Sequence, residues 1–503
     1  MLRDIIIIGS GLSGLSAALA FSHYLTPLIP DLRITIFELH PVPSTSGGAL
    51  SLSPVALRHF NHLGILDELE EYGPESGVDV DAVEIFSSRT GKQISYLDFS
   101  GKHGLGYGDA ETGRRYKARR VMRINLSLAM IAATEKRGNI KMVFGKKFLK
   151  AEQLEDEDRI EVHFQDGSRA TGHLLLGCDG VWSATRRKFI DPGRDAKYTG
   201  FSLVQGTVKT ASLKVKPHFR NSSMNLSKNG SLLITFHEKQ HQEIFTSAMV
   251  ECREESVKDH TELDKWKRDL INESLRKEIS SRFKDSVIPF VREVATSPEV
   301  DWMMYPIYQV PLGGKWYTQR AILLGDAAHA MLPRDESAAF AIDDTILLAR
   351  IISNHIDYPL ETSFQVYDSL RRADIAHAFK DSAKLWQRRN TDAGPIETWF
   401  RERLIPFQIK HEMVSRKAAF EYDASKAAIP TLSRNSSPLS SLRASDSNSR
   451  SSLSSHNTMP SSGDTTPSSG GGSSSHSSHL RKYSSCGQPE MTKLMSNLVV
   501  IDK

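Results

Sequence analysis

One glycine-spaced stretch near the start of the chain constrains its fold more than any other segment. Residues 5–8 are four isoleucines, and such a β-branched run predicts a buried parallel strand. Gly9, Gly11 and Gly14 follow in the spacing G-x-G-x-x-G, and the small and apolar residues after them predict a helix packed closely on that strand. Gly9 permits a tight turn, Gly11 lets a pyrophosphate approach the backbone, and Gly14 lets helix and strand touch.

A second strand supplies the usual companion of this glycine pattern. The apolar residues 34–37 end in Glu38, an acidic residue placed to bind a ribose 2′-OH. Together the two segments predict a βαβ unit with a dinucleotide site. The alternative is a tight βαβ turn that binds no ligand.

Two later strands end in aspartate-containing turns. Residues 174–177 run into Asp179-Gly180, and residues 321–324 run into Gly325-Asp326. Ligands gather at the carboxyl ends of strands in open α/β sheets, so both turns are candidate binding segments. The other interpretation of the first is an Asp-Gly turn with Ser183 as a helix N-cap. His329, shortly after Asp326, is either a catalytic base or, as we favour, a structural residue.

These three segments, in this order, resemble the FAD-dependent class A monooxygenases, the family of salicylate and para-hydroxybenzoate hydroxylases. The fungal members of secondary metabolism are most similar, and the resemblance covers about residues 4–380. It implies an α/β fold in which a Rossmann-like FAD-binding domain of the glutathione-reductase type carries an inserted, mixed-sheet substrate domain. C-terminal helices and a disordered tail complete the expected organisation.

The expected domains are discontinuous along the chain. The FAD-binding domain is expected at 1–78, 119–190 and 318–380, the substrate domain at 79–118 and 191–317, and the C-terminal helices at 381–430. A tail is expected at 431–503, because 23 of the 53 residues from 433 to 485 are serine. Such a composition buries too little apolar surface to offset the entropy of ordering.

The resemblance assigns roles to individual residues. Gly9, Gly11 and Gly14 would hold the FAD pyrophosphate, and Glu38 the adenosine ribose. The remaining implied cofactor contacts are Gly47, Gly48 and Ala49 near the flavin, Arg123 at a helix start, Asp179 and Gly180 toward FAD and NAD(P)H, Asp326 at the ribityl chain, and Ala339 at the flavin ring. Arg123 falls within an amphipathic helix predicted over 120–136, where a solvated arginine is the alternative.

One segment departs from the family pattern. Many members carry P-x-x-G-Q-G after G-D-A-A-H, whereas residues 333–340 of this chain contain no glycine. Those glycines let the flavin edge lie against backbone, so the departure bears on flavin geometry more than on the fold.

The implied reaction is an NAD(P)H-consuming monooxygenation. NAD(P)H would reduce FAD, and a flavin C4a-hydroperoxide formed with O₂ would hydroxylate or epoxidise a small aromatic or secondary-metabolite substrate. No catalytic base is predicted. The candidate substrate contacts are Trp302, Tyr305, Tyr308, Trp316, His237, Arg220 and Tyr198, with core packing as the alternative for the aromatic residues. Two other functions stay open: a flavin-dependent reductase or dehydrogenase on the same fold, and a degenerate, non-catalytic flavoprotein.

Composition excludes several other classes. The net charge is only +4 and no basic stripe is visible, so nucleic-acid binding is not expected. Three cysteines without a C-x-x-C pair indicate neither a disulfide framework nor a metal site. With no apolar run of transmembrane length, we expect no membrane span and an intracellular, cytoplasmic protein. The oligomeric state is left open.

Overall fold

The computed structural model describes the chain in eight stretches. These are residues 2–45, 47–101, 103–108, 112–154, 158–252, 265–333, 337–389 and 394–431. The predicted tail therefore lies almost wholly outside the described residues, as do 334–336 of the glycine-free segment.

The described residues form twenty strands, all before residue 324, with helices between some of them and three long helices after them. The strands β1 to β20 are, in order, Asp4–Ile8, Arg33–Phe37, Ala49–Leu52, Val78–Val80, Ala82–Ser87, Gln93–Asp98, Tyr107–Gly108, Arg115–Tyr116, Ala118–Met122, Ile140–Val143, Phe148–Leu154, Arg159–Phe164, Arg169–Gly172, Leu174–Gly177, Lys197–Lys209, Ser222–Ser227, Gly230–Phe236, Glu243–Glu251, Asp301–Gln309 and Ala321–Leu323. The helices α1 to α10 are Leu12–Leu25, Pro54–Leu63, Ile65–Glu70, Arg123–Glu135, Lys265–Phe283, Pro289–Thr296, Asp326–His329, Ser337–Asn354, Leu360–Arg389 and Pro395–Glu421.

A parallel sheet forms the first layer, with strand order β10-β2-β1-β14-β20. Its central strand β1 pairs with β14 on one side and β2 on the other, so residues 5–8 lie between residues 174–177 and 34–37. The isoleucines of β1 are at most 4 % exposed, as expected for a strand covered on both faces. Helices α1 and α8 pack against each other beside this sheet. The predicted Rossmann-like α/β fold is confirmed.

A second, larger sheet is built from two separate parts of the chain, residues 82–98 and 197–309. Its seven strands run in the order β19-β15-β18-β17-β16-β5-β6. Only the β16–β5 pair is parallel, so the sheet is mixed, as predicted. The domain boundaries themselves stay a prediction, because residues 1–429 form one compact unit. The predicted boundary at 380 lies inside helix α9.

One predicted element is wrong at its start. The helix expected over 120–136 begins only at Arg123 and ends at Glu135, because residues 118–122 form strand β9. Strand β9 lies between β3 and β4 and pairs with both in antiparallel register. For residues 118–122, backbone hydrogen bonds to the strands on both sides favour a strand more than the apolar periodicity favours a helix. Arg123 is consequently the first residue of the helix, not an interior one.

A buried ionic network joins the helices that follow the last strand of the parallel sheet. The Asp344 carboxylate accepts hydrogen bonds from His329 Nε2 at 2.7 Å and from Arg371 Nε at 2.9 Å. It also accepts the backbone N–H of Gly325 at 3.2 Å. Burial alone would raise the pKa of Asp344, but the charges of His329 and Arg371 outweigh it and hold the pKa below its usual range. The network therefore stabilises an ionised carboxylate inside the protein.

We expect Asp344→Asn to lower the free energy of unfolding by about 3 kcal/mol, because Arg371 is left buried without its counter-ion. Urea unfolding followed by circular dichroism measures this change. The pKa of Asp344 is lower in the folded protein than in the unfolded chain, where it is about 3.9. Its ionised carboxylate therefore stabilises the fold fully above about pH 3.9, and this stabilisation is lost as the pH falls through the folded-state pKa. The difference between wild type and variant should therefore be full at neutral pH and shrink on acidification.

Asp368→Asn is the matched control, since Asp368 pairs with Arg372 in a partly exposed i,i+4 bridge. Such a pair contributes less than about 1 kcal/mol. Equal losses from both variants, or a difference that grows on acidification, would contradict the assignment.

Candidate active site

The glycine fingerprint forms a tight junction with one open position. Gly9 has φ +98°, and a Cβ there would lie 2.6 Å from the carbonyl oxygen of Cys178. A Cβ on Gly14 would lie 1.9 Å from the carbonyl oxygen of Gly9. At Gly11, in contrast, no protein atom comes within 4 Å of an added Cβ. The outer glycines are thus required by packing, and the space beside the middle one is open.

Glu38 lies directly against this junction. Its carboxylate accepts hydrogen bonds from the backbone N–H and the hydroxyl of Ser10, both at 2.8 Å. The backbone N–H of His40 donates to the other carboxylate oxygen at 2.9 Å. The acidic residue and the glycine turn, which are 27 residues apart or more, therefore form one surface at the carboxyl ends of β1 and β2.

The loop before β3 is fastened to the seven-stranded sheet. The backbone N–H of Gly48 donates to Gln205 Oε1 on β15 at 3.1 Å. A Cβ on Gly48 would lie 2.4 Å from the ring of Phe245 on β18, so only glycine fits. The Gly48 carbonyl accepts the N–H of Arg123 at 3.3 Å. Gly47, with φ +90°, precedes this contact, and Ala49 begins β3.

Two opposite charges, those of Arg123 and Asp326, interact with each other beside this loop. Arg123 and Asp326 are both accessible to solvent. Desolvation nevertheless lowers the pKa of Arg123 and raises the pKa of Asp326, and the attraction between the two opposes both shifts. Accessible groups that are largely surrounded by protein indicate a cleft. Tyr305 on β19 is half-buried there, and burial raises the pKa of its phenol, which hydrogen-bonds the Gly47 backbone.

The residues on both sides of Asp326 are held by contacts with the rest of the protein. Gly325 has φ +58°, and a Cβ there would lie 2.1 Å from Ser13 Oγ on helix α1. His329 is 4 % exposed and belongs to the Asp344 network. That position favours the structural interpretation of His329, which stays a prediction. Ala339, the third residue of α8, is buried.

The Asp179 side chain of the Asp-Gly turn is already hydrogen-bonded to other groups of the protein. The Asp179 carboxylate accepts from the Ser183 hydroxyl and from the backbone N–H of Thr185, the latter at 2.9 Å. Ser183 in turn accepts the N–H of Arg186 at 2.8 Å, as an N-cap does. Gly180 has φ +71° and open space beside it. A cofactor role for Asp179 and Gly180 stays a prediction.

The seven predicted substrate contacts do not share one surface. Trp302 and Trp316 are 2 % and 3 % exposed, and the Arg372 guanidinium stacks 4.2 Å from the Trp316 ring, so both indoles are core residues. Tyr305 is linked to the Arg123 cleft, since the two side chains interact electrostatically. The positions of the others are as follows: Tyr308 packs on Trp182, Tyr198 hydrogen-bonds Ser202 and the Cys252 carbonyl, His237 is buried against Glu243, and Arg220 is an exposed partner of Asp81.

Sequence reasoning missed Gln205 and Phe245. Both lie on strands whose alternation predicts a sheet, but nothing local marks the face that meets the Gly48 loop. Only the folded register brings them there.

Comparisons with known proteins agree with this geometry. A sequence model of the FAD binding domain family matches residues 3–382. Among curated relatives, 3-hydroxybenzoate 6-hydroxylase of Polaromonas naphthalenivorans is 23 % identical over 396 residues, covering 76 % of this chain and 86 % of that protein. Salicylate hydroxylase of Pseudomonas putida is 25 % identical over 418 residues, covering 79 % and 89 %.

Solved structures show the same fold. Klebsiella pneumoniae HpxO in complex with FAD and uric acid aligns with a TM-score of 0.64 at 19 % identity, over 82 % of this chain and 97 % of that one. A salicylate hydroxylase substrate complex aligns with a TM-score of 0.62 at 19 % identity, over 86 % and 99 %.

Two alanine substitutions separate cofactor binding from packing in the fingerprint. We expect Gly11→Ala to leave the Tm of the FAD-free protein unchanged, because the added methyl group contacts nothing and φ is −70°. It should weaken FAD binding at least about tenfold, since the added methyl group would occupy the space predicted for the pyrophosphate. Fluorescence titration with FAD measures the affinity.

Gly14→Ala should instead lower the Tm, since the helix must move away from the Gly9 carbonyl. Normal FAD affinity in Gly11→Ala together with a normal Tm in Gly14→Ala would contradict the division of the fingerprint into a cofactor-binding glycine and a packing glycine.

Proposed function

Since the chain belongs to the FAD-binding class A monooxygenases, we propose that it uses NAD(P)H and O₂ to hydroxylate or epoxidise a small aromatic or secondary-metabolite substrate. The observation that carries the proposal is the cleft in which Arg123, Asp326 and Tyr305 lie beside a glycine loop fastened to the larger sheet. It joins the dinucleotide junction to the seven-stranded sheet.

The residues present fit FAD. Gly11 offers open backbone and Glu38 a carboxylate beside it, so these two would hold the pyrophosphate and ribose. Arg123 and Asp326 would hold the part of the cofactor nearer the larger sheet. When bound, FAD supplies two-electron acceptance from NAD(P)H and the activation of O₂.

The side chains of the cleft set its electrostatics. Arg123 provides a positive charge in a partly desolvated space, which attracts an anionic group more strongly than it would in water. The ordinary pKa of a tyrosine phenol is about 10 and burial raises that of Tyr305 further, so Tyr305 keeps its proton at neutral pH. Its hydroxyl can therefore orient a polar substituent. No side chain is required as a base for this function.

Relatives act on compounds of one kind. Their names specify hydroxybenzoate, salicylate and 6-hydroxynicotinate as substrates. All are small, planar rings with anionic or hydroxyl groups. A cleft with an arginine and a tyrosine suits such a ring, and we therefore propose a planar, oxygen-substituted substrate.

Oxygen incorporation is the decisive test. Purified full-length protein with FAD and NADH or NADPH should oxidise the nicotinamide faster when a hydroxylated aromatic from a test panel is present. Under ¹⁸O₂ the product should carry one labelled oxygen, detected by mass spectrometry. Nicotinamide oxidation without label in any product would instead indicate a reductase or dehydrogenase. Failure to retain FAD at all would indicate a degenerate flavoprotein fold without catalytic function.

A charge deletion tests the cleft itself. We expect Arg123→Met to weaken FAD binding about tenfold, because the variant lacks the guanidinium that we propose holds part of the cofactor beside Asp326. Lys136→Met is the control: Lys136 follows the same helix at its other end and pairs on the surface with Glu68. Titration of both variants with FAD should show a change only in the first. Unchanged affinity in Arg123→Met would leave the arginine as a solvated helix residue.

A further inference from the structure

Side chains from three strands of the seven-stranded sheet hold the loop before β3. Gln205 Oε1 on β15 accepts the backbone N–H of Gly48 at 3.1 Å, and the ring of Phe245 on β18 lies against the same glycine. The phenol oxygen of Tyr305 on β19 accepts a hydrogen bond from the backbone of Gly47. Two successive residues of one loop are therefore bound by polar side chains of two neighbouring strands.

Gln205 and Tyr305 lie on the same face of the sheet. Exposure alternates along β15, where Val204 and Gly206 are buried and Gln205 between them is half-buried. In the antiparallel register of β15 and β19, Gln205 lies opposite Met303, and Tyr305 is two residues further along β19. Because side chains two residues apart in a strand point to the same face, these three side chains are neighbours on the face that meets the loop.

The hydrogen bond to Gly48 fixes the orientation of the Gln205 amide. Only the amide oxygen can accept the Gly48 N–H, so the amide nitrogen Nε2 is turned away from that N–H. Among the described residues, no group accepts a hydrogen bond from Nε2. The two hydrogens of Nε2 are therefore available to a ligand that lies beside the loop.

The hydroxyl of Tyr305 is a second donor that a ligand can use. It donates to Met303 Sδ at 3.5 Å. A thioether sulfur is a weak acceptor, so a ligand oxygen would be the better partner for this hydroxyl. Gln205 and Tyr305 together thus offer donors on one side while their oxygens hold the loop on the other.

Charge alone does not select the ligand of this site. A Cβ on Gly47 would lie 3.6 Å from Arg123 Nε and 3.7 Å from Gln205 Oε1, so the guanidinium is close to the amide. The opposite charge of Asp326 interacts with that of Arg123 and reduces its pull on an anion. Hydrogen-bond donors recognise a neutral carbonyl oxygen as well as a carboxylate, since both present lone pairs.

We propose that Gln205 determines substrate specificity. Its Nε2 donates to a carbonyl or carboxylate oxygen of the substrate, while its Oε1 positions the Gly47–Gly48 loop beside the cofactor. This inference rests on the proposed function, because it assumes that substrate and FAD meet at this loop. It assigns one side chain to both of them, through its two different atoms.

Two substitutions at this position separate the two atoms. Gln205→Glu keeps an oxygen acceptor for the Gly48 N–H but removes the donor, whereas Gln205→Leu removes both at similar size. In fluorescence titrations of the full-length protein, Gln205→Leu should bind FAD about tenfold more weakly than wild type. Gln205→Glu should restore the affinity to within about threefold of wild type, because the loop keeps its acceptor.

The donor is tested with three probes that share a phenol ring. Salicylate adds a carboxylate, 2-hydroxyacetophenone adds a ketone, and phenol has neither group. Binding to the FAD-loaded protein is measured by the change in flavin absorbance. Wild type should bind the first two at least about tenfold more tightly than phenol, and Gln205→Glu should lose this preference.

The matched control is Gln93→Glu, which makes the same change at an exposed position on β6, the opposite edge strand of the sheet. It should behave as wild type in both titrations. Wild-type FAD affinity in Gln205→Leu would overturn the positioning role.

The specificity role has its own contrary outcomes. FAD-loaded wild type without the preference, or Gln205→Glu that retains it, would overturn that role while leaving the proposed function intact. A preference for salicylate alone that survives in Gln205→Glu would show that Arg123 selects the ligand by charge. Failure of wild type to retain FAD would overturn the proposed function, and this inference with it.

Discussion

The contact between the start of helix α1 and the end of strand β1 is the constraint on which the remaining site depends. Three backbone segments meet there, because Gly9, Gly14 and the Cys178 carbonyl leave no room for a Cβ on either glycine. This contact fixes the distance of the helix from the parallel sheet. It also brings the end of β14, which carries the Asp-Gly turn, against the fingerprint. The open position at Gly11, where we propose that the pyrophosphate binds, lies between these two closely packed glycines.

A second connection holds the two aspartate turns in a fixed relation. The fully buried Arg186 donates to the carbonyl of Ala327 at 2.7 Å and to the carbonyl of Val181 at 2.7 Å. One guanidinium thus links the turn after β14 to helix α7, which begins at Asp326. Its planar set of donors suits this task, because several carbonyls can be satisfied from one rigid group. The Asp344 network also holds this helix, through its last residue, His329.

The dinucleotide half of the site could be predicted from the sequence because its determinants are local. The glycine spacing and Glu38 lie on one βαβ unit, whose geometry follows from a strand, a turn and a helix. The contacts of Gly48 with Gln205 and Phe245 join segments about 150 to 200 residues apart, and no local pattern encodes such a register. The incorrect helix start before Arg123 has the same cause, since strand pairing with β3 and β4 is a long-range property.

This difference explains why the cofactor is easier to infer than the substrate. FAD phosphates are recognised largely by backbone N–H groups. The glycines that make these N–H groups accessible occur at a fixed spacing, which can be recognised in the sequence. A substrate is recognised by side chains that separate strands bring together, as Tyr305 on β19 is brought to Arg123 on α4. Trp302 and Trp316 show the consequence, because their residue type suits a ring-binding site although their positions belong to the core. Only accessibility distinguishes them from Tyr305, and accessibility is a property of the fold.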